Sequence, residues 1–363
     1  MPRALVLGAG ITGLATAWAL RKRGWAVTVA DRGPIPNPKA ASWDHHRLIR
    51  PHYPSKPKLA ARVAEAHEAW GALFADLREA GAPGPFYIET GVLSISTSED
   101  DWTDRARASF EAAGIAYEAL TPDEIGHRFP QFAVPDARYG LFTNDGGALL
   151  SDRIIEGLVR WLKGEGVELV PQFEALDIDA ARGRVDARDG RRIEADAVVA
   201  AVGVGTGALL SRWIDVPLET RRSVVLYVDP PSNLADAWAN GPCWVDLGGV
   251  EDHWGIAPVA GLPLKLGLGT HTRNGDEASE RDVTGADVDQ ILDGYRSRFA
   301  CMGDYRVRSA VANFWTLAPD EAFLLRQDQR LIATAIDSGH AFKFGAINGL
   351  DLALAGSCWV SPD

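Results

Sequence analysis

Cysteine is scarce: the 363 residues hold three, Cys243, Cys301 and Cys358, odd in number, widely spaced and without a C-x-x-C pair. That excludes a disulfide framework and a thiolate zinc site, no metal is expected, and a reducing cytoplasm is the compartment such usage fits. Long hydrophobic runs are also missing, since no stretch reaches the ~18 consecutive apolar residues of a membrane span. The nearest, Ala4 to Leu20 behind Arg3, carries patterned glycines and is followed by Arg21, Lys22 and Arg23. A polar cleavage region would be needed there for an export signal. Basic residues are in deficit, 37 against 49 acidic, for a net charge of −12. A nucleic-acid backbone or an anionic membrane attracts the opposite sign, so neither is expected as a partner. An anionic small molecule would need a local cationic island.

What is present is the composition of a globular protein, 46% apolar and 24% charged, in a chain long enough for roughly two domains of ~150 residues. The apolar run Ala4 to Leu7 ends in Gly8-Ala9-Gly10-Ile11-Thr12-Gly13, a helical pattern follows from Leu14 to Lys22, and a second apolar run, Ala26 to Ala30, closes on Asp31. The order is strand, glycine turn, helix, strand, acid. Gly8 permits the tight turn, Gly10 lets a pyrophosphate approach the backbone, and Gly13 lets helix pack on strand. The helix N-terminus offers amides and a partial positive charge to phosphates. Asp31 lies 23 residues after Gly8, near the spacing at which a carboxylate meets a ribose. The pattern marks dinucleotide binding and does not separate FAD from NAD.

Along the chain, Leu59, Val63, Ala66, Trp70, Leu73 and Leu77 recur at intervals of 4, 3, 4, 3 and 4, predicting a helix over 55–80 that Gly81 and Pro83 end. Phe86 to Ser96 reads as strand punctuated by Gly91, and Thr121-Pro122-Asp123-Glu124 opens a short helix. Arg128 to Gly147, with Pro130, Pro135 and three glycines, reads as loops and edge strands. Ser151-Asp152 is expected to cap a helix to about Lys163. Val185 to Ile193 reads as a hairpin on Asp189-Gly190, and Ala197 to Val202 as a strand buried on both faces, a return to the nucleotide sheet. Residues 218–270 are strand-rich, a helix is expected over 284–299, and Leu331 to Ile336 is the last strand before a glycine turn and a C-terminal helix.

Three segments carry a family resemblance: Ser42-Trp43-Asp44-His45-His46-Arg47-Leu48-Ile49-Arg50-Pro51-His52-Tyr53, Leu264-Lys265-Leu266-Gly267, and Gly339-His340-Ala341-Phe342-Lys343-Phe344. In this order, and over nearly the whole chain, they resemble the monomeric sarcosine oxidase and N-methyltryptophan oxidase family of FAD-dependent amine and amino-acid oxidases, in the glutathione-reductase-like class. The resemblance selects FAD. It implies an α/β fold in which a Rossmann-like FAD-binding domain (1–80, 148–216 and 317–363) is interleaved with a sheet-rich antiparallel substrate domain (81–147 and 217–316). It also implies hydride transfer from a secondary or N-substituted amino acid to flavin, hydrolysis of the imine, and reduction of O₂ to H₂O₂ by what the family suggests is a monomer. A dehydrogenase or biosynthetic imine-forming enzyme that passes electrons to another acceptor is the alternative, and a flavoprotein that only binds ligand is a weaker one.

Between 45 and 52 lie His45, His46, Arg47, Arg50 and His52, five potentially cationic groups in an acidic protein. A solvated surface loop would explain such a run, but an amino-acid carboxylate needs a planar two-pronged donor, which an arginine supplies. The resemblance implies that Arg47 lies against the flavin as a catalytic residue and that Arg50, with Lys343, grips the substrate carboxylate. In the run Leu264 to Thr270 the leucines share one face while Lys265, Gly267 and Gly269 share the other, leaving an ammonium beside bare backbone that suits a flat ring. The resemblance gives Lys265 a catalytic role near the flavin in the reaction with O₂. Trp254 stands where the family often has a tyrosine, so Trp254 joins the substrate-binding candidates, with Trp43 and Trp315 as further pocket walls. Besides Gly8, Gly10, Ile11, Thr12, Gly13 and Asp31, the cofactor-binding candidates are Arg32, Ser42, Trp43, Arg47, Phe173, Gly203, Gly339, His340, Ala341, Phe342 and Lys343. The family's thioether cysteine is replaced by Asn313, or by Ala312 with a one-residue slip, so non-covalent FAD is expected.

Overall fold

The structure, a computed structural model, describes residues 1–357. Cys358 and the end of the 317–363 segment lie outside the described residues. The first strand, Arg3–Leu7, lies between Ala26–Ala30 and Ala197–Ala200, parallel to both. Glu168–Val170 extends the sheet beyond Ala26–Ala30, and Leu331–Ala335 extends it beyond Ala197–Ala200, again in parallel. Leu324–Asp328 closes that side as an antiparallel edge, making six strands. Alternation along the first strand divides its side chains: Ala4 and Val6 enter a core with the helices Ile11–Lys22, Pro57–Glu79, Ser151–Gly164 and Gly345–Ser357. Leu5 and Leu7 face the other way, onto a meander of Ala175–Asp179, Arg184–Ala187 and Arg192–Glu194. That meander contains the expected Asp189-Gly190 turn.

The second large sheet has nine strands and is antiparallel apart from the pairing of Cys243–Val245 with Val92–Ser96. Its long member, Glu219–Asp229, pairs with Arg306–Leu317 on one side and with Leu264–Leu268 on the other. The leucines of Leu264–Leu268 enter the core of this sheet, among Trp238, Trp244, Tyr295 and Phe299. A three-stranded sheet, with Gly147–Leu149 between Arg47–Ile49 and Tyr87–Glu89, presents the arginine-rich segment. No described helix is long and apolar enough to cross a membrane.

Three expectations change. Tyr139–Thr143 is neither a loop nor an edge strand but an inner strand paired on both sides, with Val92–Ser96 and Glu118–Leu120. Gly140, which looked like a breaker, leaves room for Ile125 and Leu93, 3.0 and 3.1 Å from where its Cβ would stand. Ser151 does not cap its helix, whose N-cap is Leu150; its hydroxyl donates instead to the Asp44 carbonyl at 2.6 Å. The helix expected over 284–299 is Gly285–Gly294, and Tyr295 beyond it turns into the core.

Gly13 fixes the opening unit, since a Cβ there would stand 1.8 Å from the Gly8 carbonyl oxygen. Gly13→Ala should therefore force helix and strand apart and cost about 3 kcal/mol, read as a lowered urea midpoint together with reduced flavin content of the purified protein.

Candidate active site

A cavity of about 780 Å³ is lined from both large sheets. At one end lie Gly8, Gly10, Ile11, Thr12, Asp31 and Arg32; at the other lie Arg50, Trp254, Lys265 and Lys343. Gly8 has φ +97°, and a Cβ on it would meet the Ala201 carbonyl oxygen at 2.2 Å. Only glycine fits that turn. Gly10 is the N-cap of Ile11–Lys22 and carries no side-chain cap, while the Ser42 hydroxyl accepts from the Ile11 amide at 2.9 Å. The Asp31 carboxylate accepts from the Ala9 amide at 2.8 Å, the Gly33 amide at 2.7 Å and Asn37 Nδ2 at 3.3 Å, which ties the first strand's turn to the second strand's end. Phe173 and Gly203 line the same stretch. Arg32 reaches across to Glu277, 2.5 Å away on the segment just after Arg273–Asn274, a strand of the second sheet. An extended cradle with a tight glycine turn, a helix N-terminus whose N-cap has no side chain and an acid at the second strand's end fits a dinucleotide.

Further in, the Asp44 carboxylate is the hub of a buried network. It accepts from Lys265 Nζ at 2.6 Å, from Arg47 Nη1 and from the Tyr227 hydroxyl. Lys265 Nζ also donates to the His46 carbonyl at 3.0 Å. Burial alone would raise the Asp44 pKa, but the charges of Lys265 and Arg47 outweigh it and hold the carboxyl well below its usual range. Burial pulls Lys265 down to about 8, against the attraction of Asp44. His46 and His52 are pushed down to about 3, mainly by burial. Both are neutral, so the cationic island expected from five groups consists of Arg47 and Arg50, with His45 outside it, paired to Asp152 at 3.5 Å.

Arg50 and Lys343 meet at the other end. Arg50 lies 5.1 Å from the Tyr53 ring centroid and 5.5 Å from that of Trp102, and Lys343 Nζ lies 5.2 Å from that of Tyr53. Lys343 Nζ is 3.4 Å from Nδ1 of His340, which burial, aided by Lys343, pushes down to about 4. Arg50 Nη1 is buried without a hydrogen-bond partner among the described residues. Burial, and then the neighbouring Arg50, hold Lys343 well below its ordinary value. Two desolvated cations side by side, neither in an ion pair with any described residue, are the electrostatic complement of an anion.

Gly339, φ +72°, makes the turn that carries His340, Ala341, Phe342 and Lys343 along the cavity. Within that turn burial raises Asp337 to about 6, despite hydrogen bonds to it from the Thr316 and Gly339 amides. Trp254 and Trp315 line the cavity, and Trp43 does not. Trp43 lies between Ser42 and Asp44, both committed to the interior, and its indole turns onto the helical core; Trp102 supplies an indole wall in the cavity. The bare backbone beside Lys265 is also already used. A Cβ on Gly267 would stand 2.2 Å from the Trp254 indole and one on Gly269 would stand 1.8 Å from the Asp252 carboxylate, so the flat ring at Gly267 is Trp254 itself. Asn313 lines the cavity, whereas its neighbour Ala312 belongs to the core of the second sheet.

Sequence reasoning missed Asp44, Tyr227, Asn37, Trp102 and Asp252. Asp44 had a signal, an acid three residues before Arg47 in a run of bases. Asn37, six residues beyond Asp31, had none, and Tyr227, Trp102 and Asp252 come from distant segments.

The peroxisomal sarcosine oxidase of Homo sapiens is 25% identical over 95% of this chain and 90% of its own length. The N-methyl-L-tryptophan oxidase of Citrobacter koseri is 24% identical over 95% of this chain and 92% of its own. The crystal structure of L-proline dehydrogenase from P. horikoshii has the same fold, with a TM-score of 0.82 at 16% identity over 97% of this chain and 92% of that one. A match to the family of FAD dependent oxidoreductases (DAO) runs from residue 3 to residue 354, and the chain belongs to that family.

Proposed function

We propose that this enzyme oxidises a secondary or N-substituted amino acid at its C–N bond, giving an imine that hydrolyses. The observation that carries this reading is the pair Arg50 and Lys343, buried and without ion-pair partners among the described residues, in the cavity that begins at the dinucleotide turn. FAD, when bound, supplies the two-electron acceptor. Gly8, Gly10, Ile11, Thr12, Asp31, Arg32, Ser42, Phe173 and Gly203 would hold its dinucleotide portion, and Arg47 with the Gly339–Lys343 turn would hold its ring end. Gly13 acts on that cradle indirectly, by packing. Arg50 and Lys343 take the substrate carboxylate, whose negative charge compensates both. Tyr53, between them, fixes their separation, and Trp254 walls the space where the C–N bond is presented. Lys265 offers an ammonium that stabilises negative charge developing on O₂ as it is reduced.

Anaerobic titration with N-methylated amino acids tests this reading: visible bleaching is expected, and Arg50→Ala should weaken apparent binding about 100-fold, equivalent to ~3 kcal/mol for a charge-assisted contact. Unchanged binding in Arg50→Ala, or no bleaching with any amine or amino acid, would overturn it.

Among the described residues no cysteine lines the cavity, and Asn313 stands on its wall, which supports a flavin held without a covalent bond. Acid precipitation should leave the yellow colour in the supernatant; colour on the pellet contradicts this.

One observation favours a second reading, a dehydrogenase. Asp44 pins Lys265 at 2.6 Å and offsets its charge, so less positive potential is free to assist O₂. An oxidase releases H₂O₂ in step with substrate consumed. A dehydrogenase instead reduces an added dye many times faster than it consumes O₂, and comparing the two rates on one preparation decides.

A further inference from the structure

Six carboxylates line the cavity, and five are engaged: Asp31 with main-chain amides, Glu174 with Arg188, Glu277 with Arg32, Glu321 with Lys56, and Asp337 with the Thr316 amide. The sixth, Asp252, forms no ion pair or side-chain hydrogen bond with any described residue, and its surface is open. It is close enough to Arg50 for each charge to act on the other. Yet the two do not meet, because both are anchored. The Asp252 carboxylate occupies the space left by the missing side chain of Gly269, and its carbonyl accepts from the Gly269 amide at 2.8 Å. Arg50 is held against Tyr53 and Trp102. A guanidinium with an unpartnered Nη1 and a carboxylate with no partner are thus kept apart across one cavity. Such an arrangement is complementary to a dipole.

We propose that Asp252 is a specificity-determining residue that receives a positively charged nitrogen of the substrate while Arg50 and Lys343 hold its carboxylate. This inference rests on the carboxylate-clamp reading above. The nitrogen is either the α-ammonium or a basic group further along the side chain; both have the same chemistry at Asp252.

The test is equilibrium binding to the holoenzyme, followed by perturbation of the flavin spectrum, with two shape-matched pairs of ligands. Pivalate and 2-aminoisobutyrate differ by an ammonium next to the carboxylate; pentanoate and 4-aminobutanoate differ by one at the far end. In the native enzyme the ammonium-bearing member of one pair should bind about tenfold more tightly than its partner, and the pair that shows the gap identifies the source of the nitrogen. Asp252→Asn, which preserves shape and is checked by its flavin content and circular dichroism, should close that gap and leave pivalate and pentanoate unchanged. No gap in either pair of the native enzyme, or a gap that survives in Asp252→Asn, overturns the proposal. Arg50→Ala reports separately on the clamp by weakening all four ligands. If pivalate and pentanoate fail to bind the native enzyme while an ammonium ligand binds through Asp252, the clamp falls and Asp252 stands; if none of the four binds, both fall.

Discussion

The site depends on one buried carboxylate. Asp44 binds Lys265 and Tyr227 of the second sheet and Arg47 of the small sheet through its side chain, and its carbonyl receives Ser151 at the start of a helix from the first sheet's core. Three layers of the protein therefore meet at one residue. Two cations against one anion leave a net positive charge at the cavity wall, with the ammonium of Lys265 held in a fixed direction. A buried cluster of this kind is a weak source of net stability, because desolvation offsets most of the attraction, but removing its anion would leave two buried cations uncompensated.

The far end of the cavity follows the opposite logic. Arg50 and Lys343 are buried without a counter-charge, and the nearby aromatic faces of Tyr53 and Trp102 offset only part of the cost. The protein is thus balanced where it holds its own architecture and unbalanced where it meets a ligand. The contrast between a saturated Asp44 and an unsaturated Arg50, six residues apart, separates scaffold from receptor within one segment.

Much of this was legible in the sequence. The glycine turn, its helix and Asp31 follow from spacing, because only glycine survives at φ +97° against a neighbouring strand. The alternation around Lys265 correctly places the leucines in the core. What the alternation cannot reveal is which partner fills the space beside Gly267, since Trp254 arrives from the adjacent strand. Likewise, the histidines at 46 and 52 look cationic in one dimension and are neutral in three, because their burial is a tertiary property. Tyr139–Thr143 was hidden by a glycine whose purpose is to admit Ile125 and Leu93. Asp252 and Trp102 carry no local pattern; their place in the cavity is set by turns whose geometry depends on the completed sheet.

The fit of Trp254 over Gly267 has an evolutionary corollary. The two positions face each other in the strand register, and the indole occupies the volume of the absent side chain. The same holds one strand over, where Trp244 fills the space beside Gly255. Gly267 is not free to drift while Trp254 remains, so that pair is expected to covary among descendants, a side chain gained on one strand requiring a smaller ring on its neighbour; at Gly255 the Lys265 carbonyl oxygen, 2.4 Å from where a Cβ would stand, keeps the glycine whatever ring lies opposite.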